Sequence, residues 1–260
     1  MPKKQRYPQP VPVESAGQTV KLKYKLKHKN ESQDLYLDSL RNAPLTICNG
    51  PAGTGKTYLV TYVALEKLVN NEVDKIIITR PTVQAGEDLG FLPGTLEEKI
   101  DPYLKPIVEA MESHIGATMV KKLIENGKIE MAPLAFMRGR TLNKAFVILD
   151  EAQNTTPEQI VMFVTRMGFQ STFAINGDNS QSDLERPRNA PKDWCNGLEH
   201  AIRQLAGRDN SINYVKFFDT DSVRNPLVTR ALGYFNTPNI ASSDSMPNGC
   251  FLTRPLAMAS

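Results

Sequence analysis

From residue 45 onward, short apolar runs rich in β-branched residues alternate with longer stretches whose apolar positions recur at helical spacing. The strand-like runs are Leu45–Asn49, Lys75–Thr79, Ala145–Leu149, Thr172–Asn176 and Ile212–Phe217. Helical patterns at about 56–70, 157–167, 194–206 and 223–234 follow most of them, and a further helical stretch lies between residues 91 and 127. Residues 127–131 add a candidate short strand. Buried runs separated by helices predict an α/β fold, with a mostly parallel sheet flanked by helices.

The ends of the chain have a different texture. Residues 1–20 are polar and Pro-rich, and 236–260 are rich in Asn, Ser, Pro and Thr, which reads as a tail. Between residues 21 and 29 lysine occupies every odd position, with Leu22, Tyr24 and Leu26 between them. That alternation predicts a strand with five lysines on one face. Such a strand is either an edge protected by charge or a stripe that tracks phosphates. The expected organisation is therefore a basic arm with a short strand over 1–29, one domain over 30–235, and a polar tail over 236–260.

Charge sharpens this division. The net charge is +3, yet residues 1–30 carry eight basic groups against Glu14 alone, a balance of +7 that leaves −4 for the rest. A basic arm on a mildly acidic body suggests a polyanionic partner. No apolar run approaches the roughly 20 residues that span a bilayer, and no apolar leader follows the N-terminus, so no membrane and a cytoplasmic address are expected. The three cysteines (Cys48, Cys195, Cys250) and three histidines are scattered, which offers neither a disulfide framework nor a zinc site. Cys48 falls in an apolar run and reads as an inert buried thiol.

One loop carries strong chemistry. Gly50-Pro51-Ala52-Gly53-Thr54-Gly55-Lys56-Thr57 satisfies the phosphate-binding pattern G-x-x-x-x-G-K-T between a strand and a helix. Its backbone N–H groups are placed to cradle phosphates at a helix N-terminus. Lys56 is expected to reach the β- and γ-phosphates of ATP, and the Thr57 hydroxyl to ligate Mg²⁺. The run Phe146–Leu149 ends in Asp150 and Glu151. Asp150 is expected to hold Mg²⁺ through water, and Glu151 to orient and deprotonate the attacking water. Two acids at a strand end also suit the capping of a following helix.

Other residues bear on specificity. Asn143-Lys144-Ala145-Phe146 starts like a guanine-reading Asn-Lys-x-Asp but has Phe where Asp is required, which disfavours GTP. Gln33, in front of a helix expected to open at Asp34, can read adenine through a bidentate amide contact, or simply lead that helix on the surface. Gly177-Asp178-Asn179-Ser180-Gln181 follows a strand, so Gln181 sits on the nucleotide rim and is either a γ-phosphate sensor or part of a polar turn.

Taken together, the chain resembles the PhoH-like family of ATPases. The resemblance rests on the 50–57 loop, Thr79-Arg80-Pro81 with residues 86–94, Met137–Leu142, Val147–Gln159 and Ser222–Val228. Residues 182–196 look longer than the family's usual link, and a bacteriophage member is the closest description of so short a chain. The resemblance implies a single RecA-like domain of superfamily 1 helicase type, with Asp150–Gln153 and Gly177–Gln181 as its second and third motifs. It also implies an adenine contact at Gln33. Helicases of this kind supply an arginine from a second lobe, and only one lobe is evident here. A ring of this chain, by resemblance a hexamer, would let a neighbour donate it, with Arg224 as the candidate.

The expected work is on single-stranded RNA or DNA, with Arg80, Arg138 and Arg140 as candidate backbone contacts. A nucleotide-dependent assembly module that moves no strand is the alternative. A small-molecule kinase is disfavoured, because Asp150-Glu151 and the 177–181 loop suit hydrolysis.

Overall fold

A computed structural model describes residues 14–15, 18–81, 96–225, 227–228 and 230–231, with side chains from residue 20 onward except 96–103. The chain forms two compact units, Met1–Val223 and Arg224–Ser260. In the second, the described backbone at 227–228 and 230–231 is helical.

In the first unit, β1 (Glu14–Ser15) and β2 (Gln18–Thr19) form a small antiparallel ribbon. Then follow α1 (Glu31–Asn42), β3 (Leu45–Asn49), α2 (Lys56–Val69), β4 (Lys75–Thr79), α3 (Leu96–Ile115) and α4 (Ala117–Glu125). The unit continues with β5 (Ile129–Met131), β6 (Ala145–Leu149), α5 (Pro157–Val164), β7 (Thr172–Gly177), α6 (Gly197–Leu205) and β8 (Ile212–Lys216). Strands β5-β4-β6-β7-β3-β8 form one six-stranded sheet, parallel throughout.

The period of two along each strand divides the core. Ile76, Ile78, Phe146, Ile148, Cys48 and Ala174 face a cluster built with α1 to α4. Ile77, Val147, Leu149, Ile47, Phe173 and Ile175 face a second cluster with α5 and α6. All twelve are fully buried, so the apolar runs are continuous because both faces are covered. Helix α2 is buried along most of its length, from Leu59 to Leu65 and again at Leu68. It anchors the glycine-rich loop to the centre of the molecule.

Local signals set the helix starts. The Asn30 side chain accepts from Gln33 N, and the Asn196 side chain from Glu199 N. Thr156 and Gln159 form a reciprocal capping box with Pro157 at the first helical position. Gln33 therefore lies inside the first turn of α1, which opens three residues before the expected Asp34. Within the expected stretch 91–127 the described residues form two helices, parted at Gly116, whose φ of 93° belongs to the left-handed region. Much of the expected helix over 223–234 lies outside the described residues.

Lys21–Lys29 is not a strand. It runs without ladder partners over α2 and α3, pinned where Lys23 N donates to His114 O and Leu26 N to the Tyr62 hydroxyl. Leu22 and Leu26 still turn toward the core while all five lysines are exposed. A segment lying across helices can turn Leu22 and Leu26 inward and its lysines outward as a strand would, so pattern alone does not separate the two. No helix among the described residues is long and apolar enough to cross a membrane.

Candidate nucleotide site

Four parallel strands deliver the site to one sheet edge. In spatial order β4, β6, β7 and β3 end at Thr79, Leu149, Gly177 and Asn49. Each is followed at once by a residue of interest: Arg80, Asp150, Asp178 and Gly50. This is the carboxyl edge of a parallel sheet, where ligands of such folds bind.

The loop itself is held from three sides. Gly50 N donates to Gly177 O at 3.1 Å, and beside it Phe217 N donates to Asn49 O at 2.8 Å. A Cβ on Gly50 would lie 2.5 Å from Phe217 Cβ, so no larger residue fits this close approach. Gly55 precedes α2 with φ 92°, a left-handed conformation that favours glycine, and no side chain caps the helix behind it. The first turn of α2 carries no acidic residue, which suits an anion at its N–H groups. Inside the loop, Lys56 Nζ donates to Pro51 O at 2.9 Å and to Gly50 O, and Thr54 Oγ1 to Pro51 O at 3.0 Å.

Gln33 supports the loop from α1. Its Nε2 donates to Thr54 O at 2.9 Å and its Oε1 accepts from Lys29 N at 2.8 Å. The side chain belongs to a residue only 3% exposed. Both ends of the amide are thus engaged, and an adenine would have to use its second hydrogen and second lone pair.

Across the loop, Thr57 Oγ1 lies 3.5 Å from Asp150 Oδ1. A hydroxyl and a carboxylate this close are hard oxygen donors, and they fit Mg²⁺, which keeps several waters and takes few protein ligands. Glu151 has φ 57° and ψ 39°, unusual for a residue with a Cβ. Its side chain is 46% exposed, and Oε2 accepts from Gln153 Nε2 at 2.7 Å. Gln153 also accepts from Asp178 N at 3.0 Å and lies 3.4 Å from Gln181 O. One buried amide therefore ties the acid after β6 to the loop after β7.

Sequence reasoning misses Gln153 as a site residue, although it stands within the Asp150-Glu151-Ala152-Gln153 run. Its role depends on the spatial adjacency of β6 and β7, which spacing does not display. Asp178 Oδ1 accepts from Ser180 N and Oγ, so the turn that carries Gln181 is built from its own side chains.

A cavity of about 460 Å³ brings these groups together. Lys56, Thr57, Arg80, Asp150, Glu151 and Gln181 all line it, and its size falls within the small-ligand range.

The structure gives two of the three arginines assigned to strand contacts other partners. Arg80 reaches Asp150, with Nη2 at 2.5 Å and Nε at 3.2 Å from Oδ2. Arg140 holds Glu130 on β5, with Nη1 at 2.5 Å and Nη2 at 2.9 Å. That hydrogen bond lowers the Glu130 carboxyl below its ordinary value. Arg138 is exposed. Arg224 begins the second compact unit, where it is exposed. Cys48 is fully buried, and burial drives its thiol well above the ordinary range, in keeping with an inert core group.

The parallel sheet and its loop define a P-loop domain with a RecA-like core. A profile of the PhoH-like protein family matches residues 25–236, and the chain belongs to that family. It is 48% identical over 214 residues to a PhoH-like protein of Bacillus subtilis, covering 82% of this chain and 65% of that one. It is 45% identical over 205 residues to a PhoH-like protein of Synechocystis, covering 79% and 60%. The chain thus spans less than two thirds of the length of these relatives. Both are bacterial proteins, and they lend no support to a bacteriophage source. Among solved structures, the large terminase of a thermophilic bacteriophage, in its third crystal form, aligns with a TM-score of 0.50 at 10% identity, over 80% of this chain and 50% of that one. That likeness is one of fold.

Proposed function

We propose that the chain binds ATP with Mg²⁺ at the 50–57 loop and hydrolyses it, and that it spends the energy on single-stranded RNA or DNA. The observation that carries hydrolysis is Glu151, held by Gln153 at the rim of the cavity that Lys56 and Thr57 line. Thr57 and Asp150 would hold the cation, which supplies charge neutralisation on the phosphates. Lys56 and the N–H groups of α2 bind and orient the phosphate chain. Glu151 accepts the proton of the attacking water, and Gln153 fixes its carboxylate while reporting to Gln181 through the loop after β7.

The case for a nucleic-acid strand rests on the five exposed lysines of residues 21–29, with Arg138 in support. Such a surface gives sequence-independent, salt-sensitive affinity. ATP turnover should rise severalfold with single-stranded RNA at low salt, and the stimulation should fade as salt increases. Turnover indifferent to RNA at every salt concentration would remove the strand from this reading.

The alternative is an ATPase that switches assembly and moves no strand, in the cytoplasm of its cell. It is favoured by the ion pairs that occupy Arg80 and Arg140. In either reading a ring, taken as a hexamer, would let Arg224 reach a neighbour's γ-phosphate. Particle mass in solution should then increase with ATP, and Arg224→Ala should assemble and bind ATP while losing turnover. A monomer that hydrolyses ATP at full rate would exclude the trans arginine.

A further inference from the structure

The sequence offers Arg80 as a strand contact, yet the sheet puts it inside the nucleotide cavity. The cause is register. Thr79 pairs with Leu149 across β4 and β6, so the next residue on each strand, Arg80 and Asp150, are lateral neighbours. The ladder extends one step further, with Asp150 N donating to Thr79 O at 3.0 Å. On its other side the Arg80 carbonyl accepts from Leu134 N at 3.2 Å. The arginine thus rises from a backbone fixed on both sides, and its side chain is only 16% exposed.

The way it grips the carboxylate matters. A fork-to-fork arginine pair engages both oxygens of its partner. Here Nε and Nη2 both donate to Oδ2, while Oδ1 is the oxygen that faces Thr57 Oγ1 at 3.5 Å. Asp150 is 4% exposed at its side chain, and a carboxylate buried this far calls for a paired positive charge. Arg80 supplies that charge and leaves the Thr57-facing oxygen in place.

We propose that Arg80 is a positioning residue of the divalent-cation site: it clamps Oδ2 of Asp150 and so keeps Oδ1 beside Thr57 Oγ1, where the two residues would hold the cation. This rests on the reading that the loop takes a nucleotide with Mg²⁺. Arg80 works through Asp150, as the groups that orient metal-ligating carboxylates do in general, and loss of such a partner typically costs 10- to 100-fold in metal affinity.

The test is Mn²⁺ affinity, followed by electron paramagnetic resonance in the presence of ADP, for the whole chain and for Arg80→Gln and Arg80→Lys. ADP affinity in EDTA is measured alongside, as a check that each variant is folded and its loop intact. Arg80→Gln should bind ADP in EDTA within about twofold of the unaltered chain, and Mn²⁺ at least about tenfold more weakly. Arg80→Lys keeps the charge with a single ammonium and should fall between the two. Unchanged Mn²⁺ affinity in Arg80→Gln, with normal ADP binding, overturns the proposal alone. An equal loss of ADP binding with and without cation overturns it in favour of a direct phosphate contact. If Arg80→Gln does not fold, Arg80→Lys decides, and Mn²⁺ affinity equal to that of the unaltered chain overturns the proposal. An unaltered chain that binds no ADP under either condition overturns the nucleotide reading together with this one.

Discussion

At the scale of single residues, two basic side chains of one chemical kind do different work because of what the fold sets beside them. Arg80 meets a nearly buried acid at the nucleotide rim, whereas Arg140 meets Glu130 on an outer strand, with about a third of each side chain exposed. The second pair can be tested by pH. Arg140, mainly through its hydrogen bond, holds the Glu130 carboxyl below its ordinary value of 4.5. A depressed carboxyl contributes stability that is present above the unfolded value and lost as pH falls through the folded one. For a pair this exposed the contribution is about 0.5–1 kcal/mol. Arg140→Ala should therefore be less stable by roughly that amount at pH 7, by urea denaturation, and the gap should narrow as pH falls below 4.5. A gap that persists in acid would mean that Arg140 acts through packing.

At the scale of elements, the strands are legible nearly to the residue. Leu45–Asn49, Lys75–Thr79 and Ala145–Leu149 stand where their apolar runs place them, because both faces of a central strand are buried and the run is unbroken. Residues 21–29 mislead for the converse reason. Helices beneath the segment draw Leu22 and Leu26 inward and leave the lysines outside, as a sheet would, and only hydrogen-bond partners tell the two apart. The clamp on Asp150 is illegible for a related reason. It needs β4 beside β6, and strand order across a parallel sheet is set by crossovers that no local pattern reports. The glycine-rich loop needs no such knowledge, since all its parts are contiguous. The burial that makes strands readable also sets their energetic weight. Ile148 is fully buried on β6 immediately before the site, and Ile148→Ala should cost about 2–5 kcal/mol. Chemical denaturation measures this directly, and a cost below about 1 kcal/mol would mean that the cluster under α2 collapses around the gap.

At the scale of the whole molecule, one buried helix and four adjacent strand ends converge on a single cavity. The family match covers the same stretch, residues 25–236. One arginine, Arg80, already lines the cavity, engaged with Asp150. On the proposed reading the groups that would bind, orient and deprotonate all belong to the first unit, and a ring would add speed. The central claim is that Glu151 turns this binding site into a hydrolase. The most direct measurement is phosphate release from Mg·ATP by the unaltered chain and by Glu151→Gln, with ATP affinity determined in parallel. The account predicts turnover in the first and a loss of about 100-fold or more in the second, with ATP affinity within a few-fold of the original. Glu151→Gln turning over at the original rate would contradict it, as would an unaltered chain that binds Mg·ATP and releases no phosphate.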